Sequence, residues 1–233
     1  MNPTIVQLRG TVFIPMPIGY SDENRDKYLT MLPGGLVQSS VPSQVANMPA
    51  VPALGAPWQI VKENIIISFG PNQVDIISNR INDIDIDEDA FVNLCKSVFS
   101  IITETSRFNT RMAFAPLYAM DENETFVLDD WWKKVLFSTS YDGAKKQNIN
   151  LSYVLKRGMD LNGKKLTLNL HHNFYDGMKM DDQHRKLNDS LMFSLDINTV
   201  PEQSLLIEER DVPVFFDKAI LEKNKLMSSY FGI

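Results

Sequence analysis

The chain has 233 residues but only one cysteine, Cys95, and three histidines. One cysteine cannot form an internal disulfide, and this set of residues disfavours a structural zinc site. No stretch approaches the roughly 20 apolar residues of a membrane-spanning helix. The N-terminus, MNPTIVQLRG, lacks the basic and apolar regions of a secretion signal. These absences predict a reducing compartment, so we expect a cytoplasmic protein without a membrane partner.

Charge is also missing from residues 28–61, a stretch that holds five of the twelve prolines. Proline removes a backbone donor and fixes φ, so we expect residues 33–57 to form an extended connection that is neither helix nor strand. Disordered segments usually carry charge, whereas this one is neutral and apolar. Its aliphatic side chains are therefore predicted to lie on the body of the protein or on a partner. They are Leu36, Val37, Val41, Val45, Met48, Val51 and Leu54.

The common signatures of nucleotide binding, hydrolysis and metalloproteolysis are absent: GxxxxGK[ST], GxGxxG, GxSxG, HExxH and CxxC do not occur. His171 and His172 are adjacent in a predicted strand, so they point to opposite faces and are poorly placed to share a metal ion. His172 lies on the apolar face and is interpreted as a hydrogen-bonded core residue. We expect no catalytic residue, metal or cofactor. An enzyme site around His171 and Asn169 is the alternative left open.

Hydrophobic periodicity predicts an α+β fold with mainly antiparallel sheet, packed by two long amphipathic helices. Strands are predicted at 6–14, on both sides of a turn within 64–78, at 111–119, and as a three-stranded meander in the last third. Helices are predicted at 21–32, at 87–105 and from 211 onward. We expect one unit over residues 1–233. Its halves, 1–120 and 121–233, each contain strands and one long helix, which leaves a distant internal duplication open.

Four basic doublets lie within residues 133–165, although the net charge of the chain is −6. In the meander, a turn formed by Gly158 and Asn162–Gly163 is expected to gather cations from two doublets at one end, and residues 176–189 are expected to form an exposed loop. The gathered cations are Lys156, Arg157, Lys164 and Lys165. They are candidates to bind a phosphate or an acidic surface. The interpretation we favour is that they keep the sheet soluble and blunt its edges.

The order of these elements resembles a known family. A strand, a hairpin with a Trp, a long helix leading to a strand with Arg111, and a final strand with Leu195–Asp196–Ile197 before a C-terminal helix are similar to a sporadically distributed family of uncharacterised prokaryotic proteins. Members are often found near mobile or defence genes. The resemblance covers residues 58–231 and implies a prokaryotic or phage setting. It carries no catalytic residue to this chain.

Our leading hypothesis is a non-enzymatic, cytoplasmic binding protein. The neutral segment 33–57, or an exposed face of the sheet, is expected to dock another protein or a second copy of the chain as a homo-oligomer. The alternative is nucleic-acid or nucleotide binding through the basic patch at 156–165.

Overall fold

A computed structural model describes residues 3–39, 57–81, 84–105, 111–123, 126–136, 150–180, 186–200 and 206–232. These residues form nine strands and four helices. In chain order they are β1 (Thr4–Phe13), α1 (Asp22–Leu29), β2 (Leu36–Ser39), β3 (Trp58–Lys62), β4 (Ile65–Phe69), β5 (Gln73–Asn79), α2 (Glu88–Thr105), β6 (Arg111–Asp121), α3 (Leu128–Leu136), β7 (Asn150–Leu161), β8 (Lys164–Met180), β9 (Lys186–Thr199) and α4 (Asp211–Phe231).

All nine strands belong to one antiparallel sheet in the order β2-β3-β4-β5-β1-β6-β9-β8-β7. The α+β class and the mainly antiparallel sheet predicted from the sequence are confirmed. The sheet has two halves that meet where β1 pairs with β6, so the second half begins with β6 and not at residue 121 as predicted. In each half a central strand is followed by a short helix, a meander that returns from the outer edge, and a long helix. The two halves thus share one topology, and β2 is an additional outer strand of the first half.

In the first half, the helices cover one face of the sheet. Tyr28 of α1 packs on Phe69 of β4 with ring centroids 4.7 Å apart. Helix α2 lies so close to β1 that a Cβ atom on Gly10 would be 2.6 Å from the Sγ atom of Cys95. Glycine is therefore needed at this crossing because no side chain fits beneath the helix.

In the second half, the helices cover the same face. Trp131 of α3 packs on Phe174 of β8 with ring centroids 5.3 Å apart. Phe216 of α4 packs edge-on against Phe114 of β6 at 6.1 Å. Both helices therefore extend the same buried layer that α1 and α2 form in the first half, and the hydrophobic core is continuous across the sheet.

The opposite face of the sheet, which we call the open face, carries no helix of the described part of the chain. Side chains alternate across a strand, so its members are the residues between those of the core. In the first half they include Gln7, Arg9, Thr11, Gln73 and Asp75. In the second half they include Asn169, His171, Asn173, Ser194, Asp196 and Asn198. The open face thus carries many polar side chains, beside apolar ones such as Ile66, Ile77, Leu117 and Met192.

Strand β2 corrects one prediction. Residues 33–57 were expected to contain no strand, but Leu36 to Ser39 pair antiparallel with β3. This short run contains no proline, and it follows a turn in which Gly34 has a φ of 79°. Four neutral residues without proline are enough to add a strand to an existing edge, whatever the composition of the longer segment around them.

The C-terminal meander corrects two further predictions. Gly158 lies inside β7, and only Asn162 and Gly163 form the turn, with φ values of 53° and 86°. The polar residues 176–180 and 186–189 are paired strand residues, so the expected exposed loop over 176–189 is wrong at both ends. Polar composition did not prevent pairing because each strand continues a ladder that the apolar part has already aligned.

Candidate functional site

Strands β8 and β9 align two rows of polar side chains on the open face. Three of them alternate along β8, and their direct partners alternate along β9. The pairs are Asn169 with Asn198, His171 with Asp196, and Asn173 with Ser194. We call these six residues the polar ladder. Neighbouring pairs on one face of an antiparallel sheet lie within reach of one another, so the ladder is one continuous surface.

The polar ladder contains side-chain oxygen atoms that are buried but lack a hydrogen bond. They are the Oδ1 atoms of Asn169, Asn173 and Asp196, and none has a partner among the described residues. The amide of Asn169 donates instead to Oδ1 of Asn198 over 3.5 Å. A buried acceptor without a donor costs about 1–3 kcal/mol. Three acceptors of the ladder are therefore left without a hydrogen bond among the described residues.

The open face of the first half has no such deficit around its carboxylate. Oδ1 of Asp75 accepts hydrogen bonds from Nε of Arg9 at 2.9 Å and from the hydroxyl of Thr11 at 2.6 Å. Oδ2 of Asp75 accepts from the amide of Gln73 at 2.6 Å. Both oxygens of this carboxylate are thus satisfied within the sheet. The two halves differ in how far their polar side chains are already paired.

His172 lies on the covered face and is fully buried. Its Nδ1 atom is 2.7 Å from the hydroxyl of Tyr230, and its ring stacks on Tyr153 at 4.6 Å. Burial, with a smaller contribution from His171, lowers the pKa of His172 to about 4. A neutral, hydrogen-bonded imidazole in the core agrees with the interpretation made from the sequence.

His171, Asp196 and Ser194 lie together on the open face, an arrangement of residue types that catalytic triads use. A triad requires hydrogen bonds from nucleophile to base and from base to carboxylate. No hydrogen bond or ion pair joins these three side chains in the described part of the protein, and Oδ1 of Asp196 is unpaired. The hydrogen bonds that a triad uses are therefore not formed between these three side chains.

The four cations predicted to cluster are not brought to one surface. Arg157 and Lys164 project from the covered face towards α4, where Arg157 pairs with Glu222 and Lys164 pairs with Asp211 at 2.6 Å. Lys156 and Lys165 lie on the open face, opposite Asn169 and Asp160 respectively. The expectation of one local cluster is therefore wrong, because alternation along the hairpin sends adjacent cations to opposite faces.

Of the seven aliphatic residues predicted to bind a partner, the structure describes two. Leu36 is 70% exposed at the edge of the open face. Val37 is half-buried and packs against the core from the covered face. The others lie outside the described residues: Val41, Val45, Met48, Val51 and Leu54. Partner binding by this set stays a prediction.

Comparisons with known proteins give no assignment: no protein-family model, curated protein or solved structure matches the chain. Among the described residues, no helix is long and apolar enough to cross a membrane. Within the same residues, no group of three or more His, Cys, Asp or Glu side chains is arranged to hold a metal ion.

Sequence reasoning found part of the polar ladder. His171 and Asn169 were recognised from their alternation with apolar residues in a predicted strand. The partners on β9 were missed because their identity depends on the register between β8 and β9. Asp196 stood out only as part of the Leu195–Asp196–Ile197 motif. Ser194 and Asn198 alternate with the apolar residues Leu195 and Ile197, and this alternation could have identified them as members of the polar ladder.

Proposed function

We propose that this chain is a non-enzymatic binding protein that docks another protein on the open face of its second half, at the polar ladder. The observation that carries the proposal is the set of three buried oxygen atoms without hydrogen-bond donors at Asn169, Asn173 and Asp196. These oxygen atoms are buried, so a partner's donors would reach them only after the side chains turn outward; the hydrogen bonds formed then would remove the cost of leaving the acceptors unpaired. The absence of a helix over this face, among the residues described, supports docking at the same place.

The chemistry of the ladder also favours a class of partner. Its unpaired atoms are acceptors, so they fit Arg, Lys, Asn or backbone N–H groups of a protein surface. Nucleic acid presents phosphate oxygens, which are acceptors themselves, to a protein whose net charge is −6. Two of the four cations of the alternative site are engaged by acids of α4. The protein-binding function is therefore the one we propose.

We place this binding protein in the cytoplasm of a prokaryote or in a phage. The buried, unpaired Cys95 supports a reducing compartment. We also propose that the chain arose by internal duplication, with α2 and α4 as the equivalent long amphipathic helices. The shared topology of the halves supports this. The two helices contact each other through the ion pairs Lys96 with Asp217 and Glu88 with Lys223.

The test compares two serine-to-arginine variants. Ser194 lies in the polar ladder on β9, and Ser68 lies on the open face of the first half on β4. Both serines are half-buried, so Ser194→Arg and Ser68→Arg insert the same bulk and charge in the two halves. Each protein, with the wild type, is used as bait in an extract of the cells that express it. Any protein recovered is purified and titrated against all three baits.

The proposal predicts a partner that binds the wild type and Ser68→Arg equally and binds Ser194→Arg at least about tenfold more weakly, a loss of about 1.4 kcal/mol. Thermal melting checks that both variants remain folded. Recovery of no protein, or a partner whose affinity is unchanged by Ser194→Arg, would contradict it.

A further inference from the structure

The two edges of the sheet differ in length. Among the described residues, strand β2 forms one edge with four residues, whereas β7 forms the other with twelve. Within the described part of the chain, β7 pairs only with β8. One row of backbone N–H and C=O groups along β7 is therefore available for another strand.

Strand β7 lacks the features that usually protect an edge over its first half. Residues Asn150–Leu155 contain no charge and no proline, and the pairing with β8 has no bulge. Val154 and Leu155 are each 46% exposed. Natural sheets blunt their edges with short strands, charges, proline or bulges. A long, regular and partly apolar edge is typical of a strand that pairs with another chain.

We propose that β7 pairs with β7 of a second copy, antiparallel, about a two-fold axis perpendicular to the sheet. Paired residues in a sheet point to the same side, and side chains alternate along a strand. The two-fold axis must therefore pass between one residue of β7 and the same residue of the second copy, which lie directly opposite each other. The proposal rests on the edge alone and does not depend on docking at the polar ladder.

The charges on β7 select that residue. An axis at Leu155 or at Lys156 pairs almost the whole strand, and an axis elsewhere pairs less of it. An axis at Lys156 would place two lysines directly opposite each other, which is destabilising. An axis at Leu155 places Leu155 opposite its own copy, Lys156 opposite Val154 and Arg157 opposite Tyr153. No like charges then face each other, so Leu155 is the residue on the axis.

Such a dimer extends the sheet through the axis and keeps both open faces on one side. The polar ladders of the two copies then belong to one continuous surface. Because the contact is isologous, it closes after two copies and leaves the short β2 strands as the outer edges. The long edge formed by β7 is then paired without any change in the fold of either copy.

The test uses charge substitutions at the axis of the full chain. The wild type is expected to be a dimer by sedimentation velocity over a concentration series. Leu155→Lys and Leu155→Glu each place like charges opposite each other and are expected to weaken the dimer by about a hundredfold or more. An equimolar mixture of the two is expected to restore a heterodimer, because only residue 155 on the axis meets its own copy. The control is Leu221→Lys on α4, where the leucine is also 46% exposed.

A second variant tests the same contact covalently. Leu155→Cys is expected to cross-link into a dimer on mild oxidation, because directly opposed residues of antiparallel strands meet the distance limits of a disulfide. Leu221→Cys is expected to remain uncross-linked. The native Cys95 does not compete because it is buried.

Three results would overturn the proposal. They are a wild type that stays monomeric throughout the series, a dimer that Leu155→Lys leaves intact, and a mixture of the two charge variants that stays monomeric. A monomer that binds a foreign protein only when Leu155 is unchanged would assign the edge to another chain. If the charge variants of Leu155 do not dimerise but still bind a partner at the polar ladder, the dimer and the docking function are independent of each other.

Discussion

The two halves of the sheet have the same topology but use their open faces differently. In the first half the carboxylate of Asp75 has both oxygens occupied by neighbouring side chains. In the second half the carboxylate of Asp196 and two asparagine amides leave oxygens unpaired among the described residues. One half closes its polar network internally, and the other leaves buried acceptors without hydrogen bonds. This difference is the reason why the docking surface is proposed for the second half.

The edges and the helix starts follow the same division. The first half ends in the short β2, and α2 begins with an exposed cap in which Asp87 accepts from the N–H of Ala90 at 2.9 Å. The second half ends in the long β7, and α4 begins at the buried Asp211. The second half therefore depends more on specific buried polar contacts. We expect single substitutions there to lower the free energy of unfolding more than substitutions in the first half.

The largest effect is expected where α4 begins. Lys164→Met removes the cation that pairs with the buried Asp211 and should lower the free energy of unfolding by about 3–5 kcal/mol. Asp87→Ala removes an exposed cap from α2 and should cost about 1 kcal/mol. Urea denaturation of both variants measures the difference. Equal losses would remove this contrast between the halves.

Asp211 also adds a pH dependence. Burial raises its pKa, but the hydrogen bonds from Lys164, from the N–H of Glu208 and from Asn162 outweigh that effect, so the pKa lies below its ordinary value. A carboxyl group with a lowered pKa in the folded state stabilises the protein above its unfolded pKa and loses this contribution as the pH falls through the lowered value. Lys164→Met should weaken this part of the acid sensitivity.

The second effect is acid destabilisation through His172. Its pKa of about 4 lies below the unfolded value of about 6.5, so the unfolded state binds the proton first. Stability should fall by about 3 kcal/mol as the pH drops between these values. His172→Phe should flatten this dependence, as measured by denaturant titration at several pH values. An unchanged profile in His172→Phe would mean that the buried imidazole does not control it.

The third effect tests the crossing of α2 over β1. Gly10→Ala places a methyl group 2.6 Å from the Sγ atom of Cys95 and should cost about 2 kcal/mol through overpacking. The control is Gly158→Ala in β7, where a Cβ atom meets no atom within 4 Å. Thermal melting should show a clear loss for Gly10→Ala alone. A comparable loss for Gly158→Ala would show that conformation, and not crowding, determines the cost.

The smallest effect compares the two carboxylates directly. Asp75→Asn disrupts the ion pair with Arg9 at 2.9 Å and should lower the free energy of unfolding by about 1.5 kcal/mol. Asp196→Asn replaces a carboxylate whose buried Oδ1 atom has no partner among the described residues by a neutral amide, so it should leave the free energy of unfolding unchanged or raise it by up to about 1 kcal/mol. Denaturation of both variants decides this. A large loss in Asp196→Asn would mean that its carboxylate supports the fold.

The sequence predicted the elements whose local signals agree. The β4–β5 hairpin follows from two apolar runs around Gly70–Pro71–Asn72, and α2 follows from the cap at Asp87 and its apolar stripe. Strand β2 was missed because the prolines on both sides of it dominate the local composition. The ends of β8 and β9 were missed because their pairing depends on the ladder and not on their own polarity.

The candidate site was only partly predictable for a related reason. Alternation identified His171 and Asn169, since the face of a residue depends on its own strand alone. The opposing residues Asp196 and Asn198 depend on the register between two strands, which composition does not specify. The predicted basic cluster is wrong for a similar reason, because adjacent cations on β7 and β8 lie on opposite faces of the sheet.

The most direct test of docking at the polar ladder is the affinity of the purified partner for Ser194→Arg relative to Ser68→Arg. Isothermal titration of both folded variants measures it under identical conditions. Weaker binding by about tenfold or more for Ser194→Arg, with Ser68→Arg equal to the wild type, is the result that the difference between the halves predicts. Equal affinities for the two variants, or weaker binding for Ser68→Arg alone, would contradict it.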